Sequence, residues 1–256
     1  MNYCFLNNDI IQEEEAKIST FDKGFLYGYG IYEVIHVFGT KLWQLDKHIN
    51  RIYRSAQSVK LELPASRDEL KKILITLAKK NKLEESYIWI NLTLDNFLIF
   101  QRKSERPTHV GKVKSVLAER VMPHIKTTSS IGSYLARESE FDDALLINRE
   151  GFATEGATSN IFIIKDGNLI TTTEQALEGV MQSFVIEMAK GLGISTSVKR
   201  LKLTDIKEAD EVFITSTNKF ILPIGKVDDT EINDYKIGPI TQQLYDELEN
   251  RINGNT

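Results

Sequence analysis

Residues 151–164, G-F-A-T-E-G-A-T-S-N-I-F-I-I, place one carboxylate, Glu155, among small and hydroxyl-bearing side chains just before an apolar run. Asp and Glu are seldom fully buried without a counter-charge or a chemical task, so Glu155 needs a partner. Other groups offer complementary chemistry. Lys126 lies in the Ser/Thr-rich I-K-T-T-S-S without a nearby acid, and Gly179 opens the apolar-periodic G-V-M-Q-S-F-V-I-E-M-A-K. T-S-T-N at 215–218 makes a turn between two apolar runs, and Arg51 sits on a helical stretch whose apolar face its neighbours supply. A helix N-terminus and a Ser/Thr turn both donate hydrogen bonds to a phosphate, whose charge an arginine neutralises. A lysine and a carboxylate joined to such a site would suit an aldehyde cofactor with a basic ring nitrogen. Metal chemistry has little support, because the four histidines (36, 48, 109, 124) lack HxH or HExxH spacing and Cys4 is the only cysteine.

The elements that must position these groups come from a chain of 256 residues, 41% hydrophobic, long enough for one large domain or two smaller ones. A net charge of −4 with both signs spread along the chain gives no basic face for nucleic acid, and K-K at 71–72 and K-K-N-K at 79–82 read as solvated helix faces. A single cysteine excludes an intramolecular disulfide and fits a reducing compartment. The N-terminal stretch lacks a basic region followed by a long apolar one, and no apolar run approaches the roughly 20 residues of a membrane span. A cytoplasmic protein, bound to neither membrane nor nucleic acid, is expected.

The first half reads strand, strand, helix, helix, strand. Y-C-F-L-N is followed by G-I-Y-E-V-I-H-V-F-G-T-K-L-W-Q-L, two β-rich runs turning at Gly39. Asp46 is a candidate N-cap for a helix with Ile49, Ile52, Tyr53 and Ala56 on one face, and S-R-D-E-L-K-K-I-L-I-T-L-A-K-K-N repeats the pattern. Y-I-W-I-N-L-T-L reads as a strand buried on both faces, and 100–109 as an irregular polar stretch. Domains are expected over 1–117 and 124–256, the second larger and carrying Lys126, with 118–123 as the connection. In the second half S-Y-L-A-R-E-S-E-F reads as helix. D-A-L-L-I-N and N-I-F-I-I-K-D-G-N-L-I-T read as strands with a turn at Asp166-Gly167, and the helix after Gly179 ends at Gly191 or Gly193. E-V-F-I-T-S-T-N-K-F-I-L-P-I gives two further strands.

Six segments in order, D-K-G-F-L-Y-G-Y-G-I-Y-E-V, H-I-N-R-I-Y-R-S-A, I-K-T-T-S-S-I-G-S-Y-L-A-R, G-F-A-T-E-G-A-T-S-N-I-F-I-I, L-E-G-V-M-Q-S-F-V-I and E-V-F-I-T-S-T-N, resemble the class IV aminotransferases. This is the fold-type IV group of pyridoxal-phosphate enzymes, including D-amino-acid and branched-chain aminotransferases and 4-amino-4-deoxychorismate lyase. The resemblance runs from about residue 5 to residue 250. It implies a two-domain α/β (α+β) fold with pyridoxal 5′-phosphate at the domain interface, and a homodimer. Carried over by position, it implies that Lys126 forms the Schiff base and moves the proton between substrate Cα and cofactor C4′. Glu155 would pair with the protonated pyridine nitrogen, so that its counter-charge belongs to the cofactor. Arg51, the backbone N–H groups of Val180 and Met181, and Ser216 and Thr217 would hold the phosphate, with Tyr32 on the substrate side.

The pattern breaks at three places. Tyr29 replaces the Asp of the family's G-D-G, and Met181-Gln182 replaces Thr-Arg, removing a hydroxyl from the phosphate cup. D-amino-acid aminotransferases carry an Arg near the position of Leu94 and a His soon after, which trap the substrate carboxylate; L-T-L-D-N-F-L-I-F-Q-R-K-S has neither and is shortened. The resemblance implies a transaminase cycling between an amino acid and a 2-keto acid, favoured by G-I-Y-E-V. A second reading is the lyase that releases pyruvate and p-aminobenzoate from 4-amino-4-deoxychorismate. A third is a noncatalytic homologue, against which the joint retention of Lys126, Glu155 and Arg51 argues.

Overall fold

Alternation of apolar and polar residues organises the first unit. In a computed structural model, which describes residues 2–254, the chain divides into two units. One holds the chain up to Glu105 with Ile125–Ser129, the other Arg106–His124 with the chain from Ser130 onward. In the first, β1 (Tyr3–Leu6), β2 (Asp9–Gln12), α1 (Lys23–Tyr27), β3 (Gly30–Phe38), β4 (Lys41–Leu42), α2 (Leu45–Ser58), α3 (Arg67–Asn81), β5 (Glu85–Thr93) and β6 (Phe97–Lys103) follow in order. The strands form an antiparallel sheet ordered β2-β1-β6-β5-β3-β4. α2 and α3 lay Ile49, Ile52, Leu70, Leu74 and Leu77 against Ile31, Ile35, Ile88, Ile90 and Ile99. The expectation that β5 is buried on both faces is corrected: Ser86, Ile88, Ile90 and Leu92 are buried, whereas Tyr87, Trp89 and Asn91 between them are half-buried, as in a sheet packed against helices on one face.

Two further readings are corrected here. Gln44, in a left-handed conformation (φ 51°), is the N-cap of α2, and Asp46 lies inside the first turn, where its charge complements the helix dipole. Residues 100–103 continue β6 instead of opening an irregular stretch: Phe100 and Arg102 share the half-buried sheet face, the Arg102 guanidinium 4.8 Å from the Phe100 ring centroid, while buried Gln101 donates from Nε2 to Ser86 Oγ (2.8 Å).

The second unit contains β7 (Gly111–Leu117), α4 (Ile131–Ala136), β8 (Asp143–Ile147), β9 (Phe152–Gly156), β10 (Asn160–Lys165), β11 (Asn168–Thr171), α5 (Val180–Gly191), β12 (Thr196–Val198), β13 (Leu201–Lys202), α6 (Leu203–Lys207), β14 (Glu211–Ser216), β15 (Phe220–Val227), β16 (Thr230–Glu231) and α7 (Pro239–Ile252). Its mixed sheet runs β12-β11-β10-β14-β15-β7-β8-β9-β13, with β16 on β15. β8, β10, β14 and β15 are buried over almost their whole length, which explains their unbroken apolar runs. Asp166 (φ 49°) and Gly167 (φ 74°) make the expected hairpin turn. The helix expected over 133–141 is shorter, because Arg137 is already extended (ψ 131°). Glu155 lies within β9, ahead of the buried strand β10 that the apolar run forms.

α1 buries none of its residues and exposes Phe25 and Tyr27; it is attached through Asp22, with further bonds from Lys23 N to Asp95 Oδ2 (3.3 Å) and Tyr29 Oη to Val59 O (2.7 Å). The buried Asp22 carboxylate caps the helix at Phe25 N (2.8 Å) and accepts from Thr93 Oγ1 (2.6 Å) and Asn96 Nδ2 (2.8 Å). Burial pushes its pKa up, but the hydrogen bonds from Thr93, Asn96, Phe25 and Gly24 outweigh this and hold it below the usual carboxylate value. Its stabilisation is therefore complete above the unfolded pKa and lost as pH falls through the lower folded one. Asp22→Ala should cost about 2–4 kcal/mol at pH 7, from one lost cap and two lost charge-assisted bonds. Urea unfolding should show this gap narrowing below about pH 4; a gap independent of pH would contradict an ionised Asp22.

Candidate active site

The first cluster forms where the chain returns to β3. Tyr32 N donates to Lys126 O (2.9 Å) and Thr128 N to Gly30 O (2.9 Å), a two-bond antiparallel pairing that sets Ile31 opposite Thr127. Thr128 Oγ1 and Ser129 Oγ both donate to Gly28 O, fixing the far side of the segment. The Lys126 ammonium consequently stands 4.3 Å from the Tyr32 ring centroid, within cation–π range. Tyr32 is itself stacked on Trp89, with centroids 4.5 Å apart and planes 5° from parallel. Lys126 and Tyr32, singled out in the sequence, are thus brought together.

The strand period turns Glu33 away from Tyr32, into the core between Ile31 and Ile35. There the fully buried carboxylate receives Arg51 Nε (2.8 Å) and Nη2 (2.6 Å), His48 Nδ1 (3.0 Å) and Val34 N (3.0 Å). His48 and Arg51, three residues apart, share a face of α2. Burial raises the Glu33 pKa, but the Arg51 charge, the Arg51 and His48 hydrogen bonds and the His48 charge drive it far below the carboxylate range. Burial lowers that of His48; Glu33 opposes this, while the positive charges of Arg51 and Lys126 reinforce it. The cluster is a Glu33 carboxylate in a bidentate pair with Arg51 and within hydrogen-bond distance of His48 Nδ1. The fork presented to Glu33 is a bidentate arginine–carboxylate geometry. The sequence marked Arg51 but not this partner; H-x-x-R at helical spacing opposite a lone acid in an apolar strand was the available signal.

The second cluster lies in the other unit. Glu155, 3% exposed, accepts from Arg120 Nη1 at Oε1 (2.9 Å) and from Leu177 N at Oε2 (3.0 Å). The expectation that its counter-charge belongs to a cofactor alone is corrected, because Arg120 supplies a protein cation. Asn160, first residue of β10, donates from Nδ2 to Leu177 O (2.9 Å) and pairs with Thr215 of β14. These bonds gather Glu155, the start of α5 and the turn after β14. Gly179 caps α5, and any Cβ there would collide with Asn160 Oδ1. The Val180 and Met181 side chains are buried, so only their backbone N–H groups, which have no intrahelical acceptors, are offered. Gln182, the departure from the family pattern, donates to Thr171 Oγ1 (3.0 Å) and Thr172 O (2.9 Å) and so serves packing. Ser216 Oγ accepts from Lys219 N (3.1 Å), with Thr217 in the same turn. Buried Thr215 Oγ1 and Asn218 Oδ1 beside it have no hydrogen-bond partner among the described residues. Arg120, Asn160 and Leu177 were missed in the sequence, since each acts through a contact formed only by the fold.

No group of three or more His, Cys, Asp or Glu among the described residues could hold a metal ion, and no helix there is long and apolar enough to cross a membrane. The amino-transferase class IV family matches residues 30–227. The D-alanine aminotransferase of Listeria monocytogenes is 31% identical, with 94% of this chain and 92% of that protein covered. That of Staphylococcus aureus is 31% identical, with 98% of each covered. The crystal structure of a branched-chain aminotransferase from Thermoproteus uzoniensis with norvaline superposes with a TM-score of 0.91 at 26% identity, covering 97% of this chain and 94% of that one. The chain belongs to the class IV aminotransferase family, enzymes that transfer amino groups with pyridoxal 5′-phosphate.

Proposed function

We propose that Lys126 is the lysine that carries the cofactor in this aminotransferase, and that the chain cycles between an amino acid and a 2-keto acid. The observation that carries this reading is the backbone pairing of Lys126 with β3, which fixes the amine over Tyr32. The residues fit the cofactor. Glu155, paired with Arg120, would face the protonated ring nitrogen; the N–H groups of Val180 and Met181, with Ser216 and Thr217, would hold the phosphate beside the unpartnered Thr215 and Asn218 atoms, and Arg51 is proposed as a further phosphate ligand. When bound, the cofactor supplies an electron sink for charge developing at the substrate Cα. Lys126 would move the proton at that carbon, and Tyr32, held flat by Trp89, would line the substrate side.

One observation favours the lyase reading. The β5–β6 turn is tight, closed by Thr93 N donating to Asn96 O (2.9 Å), and holds no cation; Arg102 further along β6 pairs with Glu13. A carboxylate trap of the D-amino-acid type is absent from that turn, so the substrate carboxylate would be bound elsewhere. We further propose a homodimer, supported by exposed Phe21, Phe25, Leu26 and Tyr27 around α1, and a cytoplasmic setting, in keeping with the single unpaired Cys4.

The chain loaded with pyridoxal phosphate should show the absorbance band of a lysine-bound cofactor, and Lys126→Ala should lack it. A panel of D- and L-amino acids, added without keto acid, should discharge the band for at least one member. A band that none discharges, with p-aminobenzoate formed from aminodeoxychorismate, would install the lyase reading. Arg51→Ala should weaken cofactor binding and, by stranding buried Glu33, cost about 3–5 kcal/mol of stability in urea unfolding. Replacing both Arg51 and Glu33 by Met should restore much of the stability but none of the affinity; recovered affinity would remove Arg51 from the phosphate site. Sedimentation should give a dimer that Phe25→Asp weakens; a monomeric wild type would refute the assembly.

A further inference from the structure

Asp143 opens β8 with its side chain fully buried, and none of the chemistry above uses it. Its Oδ2 accepts from Thr158 Oγ1 (2.8 Å), Ser159 Oγ (2.7 Å) and Thr158 N (3.2 Å), and lies 3.4 Å from Lys219 Nζ. Oδ1 accepts from Ala144 N (3.0 Å). Lys219 Nζ also donates to Thr158 Oγ1 (2.7 Å), while Lys219 N donates to Ser216 Oγ. One carboxylate therefore ties together two turns that are remote in sequence. The first, 157–159, follows directly from Glu155 and Gly156. The second, 217–219, carries Thr217 and anchors Ser216. The approach is close: a Cβ on Gly156 would collide with Ser159 Oγ and stand 3.0 Å from Asp143 Oδ2.

A buried carboxylate needs donors and a cation, and here both come from turns whose other ties are backbone bonds, such as Ala157 N to Ala144 O (2.8 Å). Such turns are where backbone freedom concentrates, and a ligand-holding group is only as well placed as its support. We infer that Asp143 is a positioning residue: with Lys219 it clamps the 157–159 and 217–219 turns, so that Glu155 and the Ser216–Thr217 hydroxyls keep one spacing for the two ends of the cofactor. This rests on the cofactor reading proposed above. The clamp predicts that its loss loosens cofactor binding while Lys126 still reacts, because Lys126 is held by β3.

The test titrates the full chain with pyridoxal phosphate, following the lysine-bound band and tryptophan fluorescence, for wild type, Asp143→Asn, Lys219→Met and the double variant. Unfolding midpoints are taken without cofactor. Asp143→Asn should weaken affinity on the order of tenfold, as when the outer support of a ligand-holding group is removed. Lys219→Met should weaken it less, and the double variant should be no worse than Asp143→Asn alone. The band should reach full amplitude at saturating cofactor in all of them. Should Asp143→Asn fail to fold, Ser159→Ala, which deletes one donor, should show the same loss on a smaller scale. Affinities within twofold of wild type across the set, or losses in the double variant that simply multiply, would overturn the clamp. A wild type that forms no band would instead remove the cofactor reading itself, a result distinct from either.

Discussion

Two backbone hydrogen bonds, Tyr32 N to Lys126 O and Thr128 N to Gly30 O, are the constraint on which the remaining chemistry depends. A lysine has four flexible side-chain bonds, so its amine is placed only if its backbone is, and a strand pairing is the most direct means of placing one. The pairing also brings residues 125–129 into the first unit, although they are 20 or more residues beyond its last strand. Tyr32 and Trp89 then fill the space beneath the amine, and Gly28, in its left-handed conformation (φ 66°), receives the two hydroxyls that hold the segment's other end.

Three buried carboxylates surround this arrangement in function, and each solves the same electrostatic problem differently. Glu33 is held in the apolar core by a bidentate arginine and a histidine; Glu155 by Arg120 and a backbone N–H; Asp143 by hydroxyls and a partly exposed lysine. In each case the buried oxygens are satisfied by partners fixed elsewhere in the fold, so the carboxylate becomes a point of rigidity instead of a liability. Losing one partner would leave a charge without solvent, which is why the double replacements above are more informative than single ones.

Much of the architecture was legible because the physics that sets it is local. Periodicity located α3 and α5, unbroken apolar runs located β8, β10, β11, β14 and β15, and Asp166-Gly167 announced its hairpin, whereas the short strands β9, β12, β13 and β16 left no such signal. What escaped notice depends on the third dimension. The β5 run looks uniformly apolar because Tyr87 and Trp89 occupy a half-buried face, and only the sheet's single helix layer distinguishes that from a strand buried on both sides. Glu155 could be identified as needing a partner, but not Arg120, which lies 35 residues away. Asp143 stands among Glu138, Glu140 and Asp142 and resembles one more surface acid until its burial is seen.

The proposed active site depends on Lys126 being the residue that bonds the cofactor. Borohydride reduction of the loaded chain makes that bond permanent, and peptide mass spectrometry then locates it. The expected result is a single phosphopyridoxyl-lysine in the peptide spanning Ile125–Ser129. The label on any other lysine, or none at all at saturating cofactor, would contradict the placement of the active site described here.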